Sequence, residues 1–411
     1  MISSNMKWKE VLEIKSGKNQ KDVADINGSY PIYGSGGIIG YSKEYLCPAG
    51  TTIIGRKGTI NSPLYVNEPF WNVDTAFGLI PSQQLVSKYL YYFCCFFNFK
   101  ALDKSTTIPS LAKRDLENVE MPVPPLDEQS SIVARIEELF SELDKAVGTL
   151  KTTKEQLEVY RQAVLKAAFE GKYTKWWRKN HNVSANEEYC VLRKENQVFK
   201  DTSGDENELS LNIPDEWMKV RLGEIFDVEV GATPSRQHAE YWNGSIPWVS
   251  SGEVRFTTIN KTREMITDIG LKNASTNLQP IGTVLLAMIG EGKTRGQSAL
   301  LNIPAAHNQN TAAILVSKTL CQPKYIYYFL QLNYENTRRV GSGNNQKALN
   351  KERVRAIRVP FAPIAEQSII VKEIEKRLSI CENIEQTVNT ALAQADAMRQ
   401  SILKQAFEGK I

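Results

Sequence analysis

The sequence predicts an α+β fold: two α/β domains, each followed by a long helix, with the two helices forming an antiparallel coiled coil of pseudo-twofold symmetry. Residues 125–172 and 363–410 align at a constant offset of 238, without a gap, and 21 of 48 positions are identical. The segments that precede these stretches also match each other, so the order is domain, helix, domain, helix. Two copies predict a closed pair, because a solenoid needs at least three repeats.

The repeated stretch predicts one long helix in each copy. Apolar residues over 132–167 alternate at spacings of four and three, which is the 3.5-residue period of a coiled-coil seam. The second copy keeps the same phase over 370–405, with Arg377 and Gln405 as polar interruptions. Each helix should therefore run for about 40 residues, or about 60 Å.

The ends of both helices have typical boundary residues. Pro125 and Pro363 fit a first helical turn, and Gly171 and Gly409 fit the left-handed position just after a helix. A rigid helix pair fixes the distance between whatever is attached to its ends. We therefore interpret these helices as spacers.

The repeat divides the chain into five parts. In chain order they are domain 1 (1–124), helix 1 (125–172), a polar linker (173–213), domain 2 (214–362) and helix 2 (363–411). Within the linker, TKWWRK (174–179) is expected to anchor the segment. We match the openings of the domains as WKEV (8–11) with WMKV (217–220). Short β-branched strands broken by Gly and Pro, then a helix near 88–99 or 324–335, predict an α/β domain in each copy.

Composition excludes several classes of protein. The longest apolar run, residues 89–99, is about half a membrane span, and the N-terminus lacks the apolar stretch of a signal peptide. The 6 Cys show no CxxC spacing and the 3 His no ligand pattern, so we expect a cytoplasmic protein without a metal site.

The positive charge is concentrated in the domains. The net charge of +4 arises from an excess of +2 in residues 1–124 and +6 in residues 214–362, while the other segments are slightly acidic. A polyanionic partner would therefore be sought on the two domains, of which the first is only weakly positive.

One segment has the pattern of a nucleotide-binding loop. AMIGEGKT (287–294) follows an apolar strand, but Pro304 leaves little room for the helix that a phosphate loop requires. Nucleotide binding remains an alternative, although Lys293 and Arg295 suit a nucleic-acid phosphate equally well. YGSGGIIG (33–40) is interpreted as a turn-rich loop, and no catalytic constellation is found.

Polar loops in both domains suit DNA recognition. KSTTIPSLAKRDL (104–116) matches SGNNQKALNKERV (342–354) in frame, but the two differ at 106–109 against 344–347. Thr, Asn, Gln, Lys and Arg reach base edges and phosphates, so two domains that read different sequences would differ in this way. The candidate DNA-contacting residues are Arg56, Lys57, Thr106, Thr107, Ser110, Lys113, Arg236, Lys293, Arg295, Asn344, Asn345, Gln346, Lys347 and Lys351.

The repeated motifs resemble those of a type I restriction–modification specificity subunit. The resemblance covers the whole chain and rests on MPVPPLDEQSSI (121–132) and VPFAPIAEQSII (359–370), on the helix endings RQAVLKAAFEGK and RQSILKQAFEGK, and on WMKVRLGEIFDVEVGATPS (217–235) with EYWNGSIPWVSSGEV (240–254). The second copy has Ala365 where the first has Asp127, which affects helix capping.

The resemblance implies a non-catalytic subunit that recognises double-stranded DNA. Each domain would read one half of a bipartite gapped site, and the helices would set the gap and dock two modification subunits. Those subunits would bind S-adenosylmethionine, flip an adenine and methylate it, and restriction subunits would use ATP and Mg²⁺. No cofactor is expected on this chain. The alternatives are a specificity component of another methylating endonuclease, an ATP-binding protein and a coiled-coil scaffold.

Overall fold

The computed structural model describes residues 5–181, 183–195, 210–290, 292–339 and 349–411. The chain divides into two compact units. Unit 1 comprises Met1–Thr153 and Thr387–Ile411, and unit 2 comprises Lys154–Gln386. Each long helix therefore contributes one part to each unit.

The elements of the first half are short strands and three helices ahead of the first long helix. In chain order they are β1 (Asn5–Lys7), α1 (Trp8–Val11), β2 (Leu12–Ser16), β3 (Tyr30–Gly34), β4 (Gly37–Ser42), β5 (Thr51–Gly55), β6 (Leu64–Val66), β7 (Trp71–Asn72), β8 (Ala76–Pro81), α2 (Ser87–Phe96), α3 (Lys113–Leu116), β9 (Glu120–Pro122) and α4 (Leu126–Phe169).

The second half repeats this order with additions. Its elements are α5 (Lys175–Asn180), α6 (Ala185–Glu195), β10 (Met218–Arg221), α7 (Leu222–Ile225), β11 (Val228–Val230), β12 (Trp242–Val249), β13 (Thr257–Ile259), β14 (Glu264–Ile266), α8 (Asp268–Asn273), β15 (Val284–Ala287), β16 (Ser298–Leu301), β17 (Ala306–His307), β18 (Thr311–Ile314), α9 (Pro323–Leu332), α10 (Tyr334–Arg339), α11 (Lys351–Arg355), β19 (Arg358–Phe361) and α12 (Ile364–Phe407). None of the helices in the described ranges is both long and apolar enough to cross a lipid bilayer.

The two long helices occupy equivalent positions in the repeat. Helices α4 and α12 each have 44 residues, and their ends keep the offset of 238. Gly171 and Gly409 have φ of 67° and 69°, in the left-handed region where glycine avoids the steric cost of a Cβ. The predictions of long helices and of glycine at their ends are confirmed.

The helices pair in an antiparallel sense within each unit. In unit 1, Arg399 of α12 forms an ion pair with Asp144 of α4, and its guanidinium lies 5.0 Å from the ring centroid of Phe140. In unit 2, Arg161 Nη2 lies 2.8 Å from Glu385 Oε2. Along the predicted seam Ile384 is 41% exposed, whereas Ile136 and Ile374 are fully buried. Burial of these residues supplies the main force that holds each helix pair together.

The domains share one sheet topology. In unit 1 the strand orders are β2-β8-β5-β6 and β4-β3-β7, and in unit 2 they are β11-β18-β15-β16-β13 and β14-β12-β17. Most pairs are antiparallel, whereas β3–β7 and β12–β17 are parallel at equivalent places. The second domain thus repeats the first and adds the edge strand β13, which pairs parallel with β16.

The structure corrects the sequence match between the openings of the domains. Trp8 N–H donates to Val119 O at 2.9 Å, and Leu222 N–H donates to Ile357 O at 2.9 Å. Since the two acceptors are related by the offset of 238, Trp8 corresponds to Leu222. The predicted match of Trp8 with Trp217 is wrong, because the residue of the second domain that makes the same backbone hydrogen bond as Trp8 is Leu222 and not Trp217.

The stretch 173–213, predicted to be largely linker with an anchor at TKWWRK (174–179), contains two helices that are part of unit 2. Trp177 of α5 is buried, and Ala185, Tyr189 and Leu192 form the buried face of α6. Their spacing of four and three is helical, but it is short and surrounded by polar residues. Much of the described part of this stretch therefore belongs to the core of unit 2.

A buried histidine makes the stability of unit 2 depend on pH. The His307 side chain is fully buried and its Nδ1 lies 2.7 Å from Thr311 Oγ1, while Nε2 has no hydrogen-bond partner within the described residues. Desolvation lowers the pKa of His307 to about 4. In the unfolded chain the pKa of histidine is about 6.5, so between these values the unfolded state binds more protons.

We expect the free energy of unfolding to fall by about 3 kcal/mol as the pH drops from about 6.5 to about 4. Urea unfolding at several pH values measures this loss. The variant His307→Gln should remove that part of the pH dependence, and His238→Gln, at an exposed site, should keep it. An unchanged pH dependence in His307→Gln would contradict the assignment.

Candidate nucleic-acid interface

In unit 1 the candidate residues meet where two loops adjoin. Lys57, just after β5, forms an isolated antiparallel bridge with Ser110, just before α3. Leu111 N–H donates to Arg56 O, and Gly58 N–H donates to the carbonyl oxygen of the adjoining loop, both at 2.9 Å. Residues that lie far apart in the sequence thereby form one polar surface.

The side chains on this surface are accessible. Lys57, Thr106, Thr107 and Lys113 are exposed, while Arg56 and Ser110 are partly buried. The Arg56 guanidinium lies 5.8 Å from the ring centroid of Phe77 and donates to a backbone carbonyl at 3.3 Å. Four exposed side chains with hydrogen-bond donors therefore face solvent from two loops whose backbones are joined, and such donors suit a nucleic acid. Their contact with DNA stays a prediction.

Asp103 holds the second of these loops in place, and sequence reasoning missed it. Its Oδ1 accepts hydrogen bonds from Ser105 N–H at 3.0 Å, Ser105 Oγ at 2.6 Å and Ser110 N–H at 3.1 Å. These hydrogen bonds lower the pKa of Asp103, with the Ser105 hydroxyl as the largest cause. The Asp-Lys-Ser order is a typical Asx-turn signal that could have identified this role.

Unit 2 has an equivalent junction with different side chains. Leu349 N–H donates to Met288 O at 3.0 Å, just as Leu111 N–H donates to Arg56 O. Because Leu111 and Leu349 are related by the offset of 238, Met288 occupies the place of Arg56. The positive charges of this loop lie further along the chain, at Lys293 and Arg295.

Helix α10 fixes the basic loop of unit 2. Tyr334 Oη donates to Lys293 O at 2.5 Å, and Arg338 Nη2 donates to Gly292 O at 2.8 Å. Arg295 Nη2 donates to Arg338 O at 3.0 Å. Arg295 is therefore partly buried and serves the packing of the loop, whereas the Lys293 side chain is exposed.

The nucleotide-loop alternative is not supported by this segment. A phosphate loop leads into a helix whose first N–H groups bind the phosphate. Here the chain after Lys293 enters strand β16. No group of three or more His, Cys, Asp or Glu among the described residues is arranged to hold a metal ion.

The other candidates of the second domain fall into three groups. Lys351 is exposed at the start of α11. Arg236 Nη2 donates to Glu264 at 3.0 Å, and its guanidinium lies 3.7 Å from the centroid of the Trp242 ring, so this side chain already has two partners. The predicted contacts Asn344, Asn345, Gln346 and Lys347 lie outside the described residues.

The repeated domain frame matches a known family. The family model described as "Type I restriction modification DNA specificity domain" matches residues 3–158 and 214–394. These two ranges cover both domains and most of both long helices. The chain belongs to this type I specificity family. The predicted family, the repeated α+β fold and the role of a type I specificity subunit with two recognition domains are therefore confirmed.

Relatives of this specificity family align along most of the chain. The EcoBI specificity subunit of Escherichia coli is 24% identical over 94% of this chain and 78% of its own length. The EcoDI specificity subunit of Escherichia coli is 22% identical over 98% of this chain and 87% of its own length. The MjaVIII specificity subunit of Methanocaldococcus jannaschii is 23% identical over 88% of this chain and 76% of its own length.

Solved structures share the fold of this family member. A chain from work on complex assembly and conformational transition of the type I R-M system matches with a TM-score of 0.72 at 16% identity, over 99% of this chain and 98% of that one. The HsdS subunit from Thermoanaerobacter tengcongensis matches with a TM-score of 0.53 at 16% identity, over 99% of this chain and 97% of that one. At these identities the likeness concerns the fold alone.

Proposed function

We propose that this specificity subunit reads a bipartite, gapped DNA sequence with one recognition domain for each half, and that it does no chemistry itself. The observation that carries the proposal is the repeated loop junction. The Leu111–Arg56 and Leu349–Met288 hydrogen bonds build the same backbone frame in both domains. The side chains on that frame differ, as expected for two readers of different half-sites.

The long helices would set the gap and dock two methyltransferase subunits. On the helix pair of unit 2, Val159, Ile380 and Ile384 are exposed apolar side chains at 70%, 53% and 41%. The Arg161–Glu385 ion pair links the two helices at residues that are near these three in the sequence. Apolar side chains exposed on a helix pair are typical of a surface that binds another protein.

The chemistry would reside on the partner subunits. Methyltransferase subunits would bind S-adenosylmethionine, and restriction subunits would bind ATP and Mg²⁺, so this chain would need no cofactor. A role in reading chromosomal DNA would place the chain in the cytoplasm. The resemblance of the motifs and the family membership support this division of roles.

The proposal is tested by the DNA methylation pattern of a host. The chain is co-expressed with its methyltransferase subunit in a host that lacks adenine methylation, and methylated adenines are sequenced. We expect a two-part motif with an unspecified gap of fixed length. Replacing residues 1–124 by the matching domain of a relative should change only one half of the motif.

Two controls separate the alternatives. A continuous motif would contradict two independent readers. Methylation by this chain without the methyltransferase subunit would contradict a non-catalytic role and favour a different kind of methylating enzyme. The methyltransferase subunit alone should leave the host DNA unmethylated at this motif.

A further inference from the structure

An insertion distinguishes the second domain from the first at the tip of one hairpin. In unit 1, β3 ends at Gly34 and β4 begins at Gly37, so two residues connect them. In unit 2 the equivalent strands β12 and β14 are separated by residues 250–263. The equivalence follows from the parallel pairing of β3 with β7 and of β12 with β17.

We propose that this insertion is a phosphate-binding surface that gives the second domain extra electrostatic affinity for the DNA backbone. The inference rests on the proposed DNA-reading function and deepens it, because it assigns a separate source of affinity to one half-site. Lys and Arg contacts to phosphates add affinity but carry no sequence information directly.

The insertion is anchored in the domain. Its strand β13 pairs with β16, and Ile259 is buried. Phe256 N–H donates to Ser298 O at 2.8 Å. Phe256 also has φ of 52°, a left-handed conformation that is costly for an aromatic residue and that tertiary contacts must maintain. The residues on either side of β13 therefore have defined positions.

The insertion lies beside the basic loop of the same unit. The Phe256 ring packs edge-on against Tyr334, with centroids 5.1 Å apart. Tyr334 in turn donates its hydroxyl hydrogen to Lys293 O. One aromatic contact thus joins the insertion to Tyr334, which holds the loop that carries the exposed Lys293.

Three basic side chains of the insertion are available to a ligand. Arg255, Lys261 and Arg263 are exposed, and none of them forms an ion pair with a described acidic residue. The acidic residue of the insertion, Glu253, is occupied by hydrogen bonds from the Ser250 hydroxyl and backbone N–H and from the Arg263 backbone N–H, at 2.9 to 3.0 Å. With three basic residues and one acidic residue, the insertion carries a net charge of +2.

The remaining surface of the insertion is polar. A cleft of about 770 Å³ is lined by residues 252, 253, 255 and 257–263, among them Thr257, Thr258 and Asn260. Val254 and Ile259 are buried, and the partly buried Phe256 packs against Tyr334, so none of the three is a fully exposed apolar anchor. Protein interfaces are centred on such anchors, whereas phosphate backbones are bound by polar and positive groups, so this surface suits DNA better than a protein.

The salt dependence of DNA binding tests this proposal. The complex of this chain with its methyltransferase subunits is titrated with duplex DNA that carries its own motif, at several salt concentrations. For Arg255→Gln, Lys261→Gln and Arg263→Gln combined, the slope of log K against log salt should fall by up to about 2.7, at about 0.9 per phosphate contact. Affinity at low salt should fall, and the methylated motif should stay unchanged.

A matched triple variant controls for net charge. Lys219→Gln, Lys272→Gln and Lys318→Gln remove three exposed charges elsewhere in the same unit and should change the slope much less. Equal slopes for the wild type and the insertion variant would overturn the inference while leaving the proposed function intact. Absence of salt-dependent DNA binding by the wild-type complex would instead contradict the proposed function.

Two other outcomes would also overturn the inference. A changed base in the second half of the methylated motif would mean that the insertion reads bases. Impaired assembly with the partner subunits, with an unchanged slope, would mean that the insertion binds an acidic protein surface. Equal thermal unfolding of the wild type and both variants verifies that the substitutions leave the fold intact.

Discussion

Glu366→Gln is expected to lower the free energy of unfolding by about 3 kcal/mol. The Glu366 side chain is fully buried at the start of α12 and forms an ion pair with Arg178, which is nearly buried. It also accepts a hydrogen bond from Trp217 Nε1 at 2.8 Å. The substitution would leave the Arg178 cation without its buried counter-charge. Removing one partner of a buried ion pair lowers stability strongly, because the remaining charge stays buried and uncompensated.

The repeat offers a matched control for Glu366. Glu128 occupies the same position in the first copy but is exposed, so Glu128→Gln should change stability little. Denaturant unfolding of both variants measures the difference, and the double variant Arg178→Gln, Glu366→Gln should lose less than the sum of the single losses. Equal effects at the two glutamates would show that burial of the ion pair is unimportant.

Phe169→Ala is expected to destabilise the protein by about 3–5 kcal/mol. Phe169 ends α4 and is fully buried, with ring centroids 5.0 Å from Tyr325 and 5.5 Å from Phe329. Its removal would leave a cavity against helix α9. Denaturant unfolding followed by circular dichroism measures the loss.

The equivalent residue of the second copy provides the comparison for Phe169. Phe407 contacts Tyr89, Phe93 and Phe96 at 5.1 to 5.6 Å but is only partly buried. Phe407→Ala should therefore cost less than Phe169→Ala, because water can occupy part of the space. A larger loss for Phe407→Ala would contradict the assignment of cost to burial.

The long helices could be predicted from the sequence because their signals are local. A 3.5-residue period and glycines with positive φ at Gly171 and Gly409 specify each helix without knowledge of the rest of the chain. The match of Trp8 with Trp217 was wrong because strand β1 pairs with β9, more than a hundred residues later. Strand pairing between residues so far apart cannot be predicted from a short segment of sequence.

The candidate site was only partly predictable for the same reason. The loops of Lys57 and Ser110 were recognised as polar and repeated, but their direct contact depends on tertiary structure. The basic residues of the insertion, such as Arg255 and Lys261, follow no motif, and no counterpart in the first domain draws attention to them. Only the packing of Phe256 against Tyr334 brings them beside Lys293.

The chain enters and leaves each recognition domain on paired neighbouring strands. Asn5 lies opposite Pro122 in the β1–β9 pair, and Met218 lies opposite Phe361 in the β10–β19 pair. A domain with adjacent ends can be exchanged as one piece without disturbing the elements to which it is attached. Genetic recombination within the coding regions for the two similar helices would therefore transfer a complete reader, so new target sequences can evolve by exchange of whole cassettes as well as by point mutation.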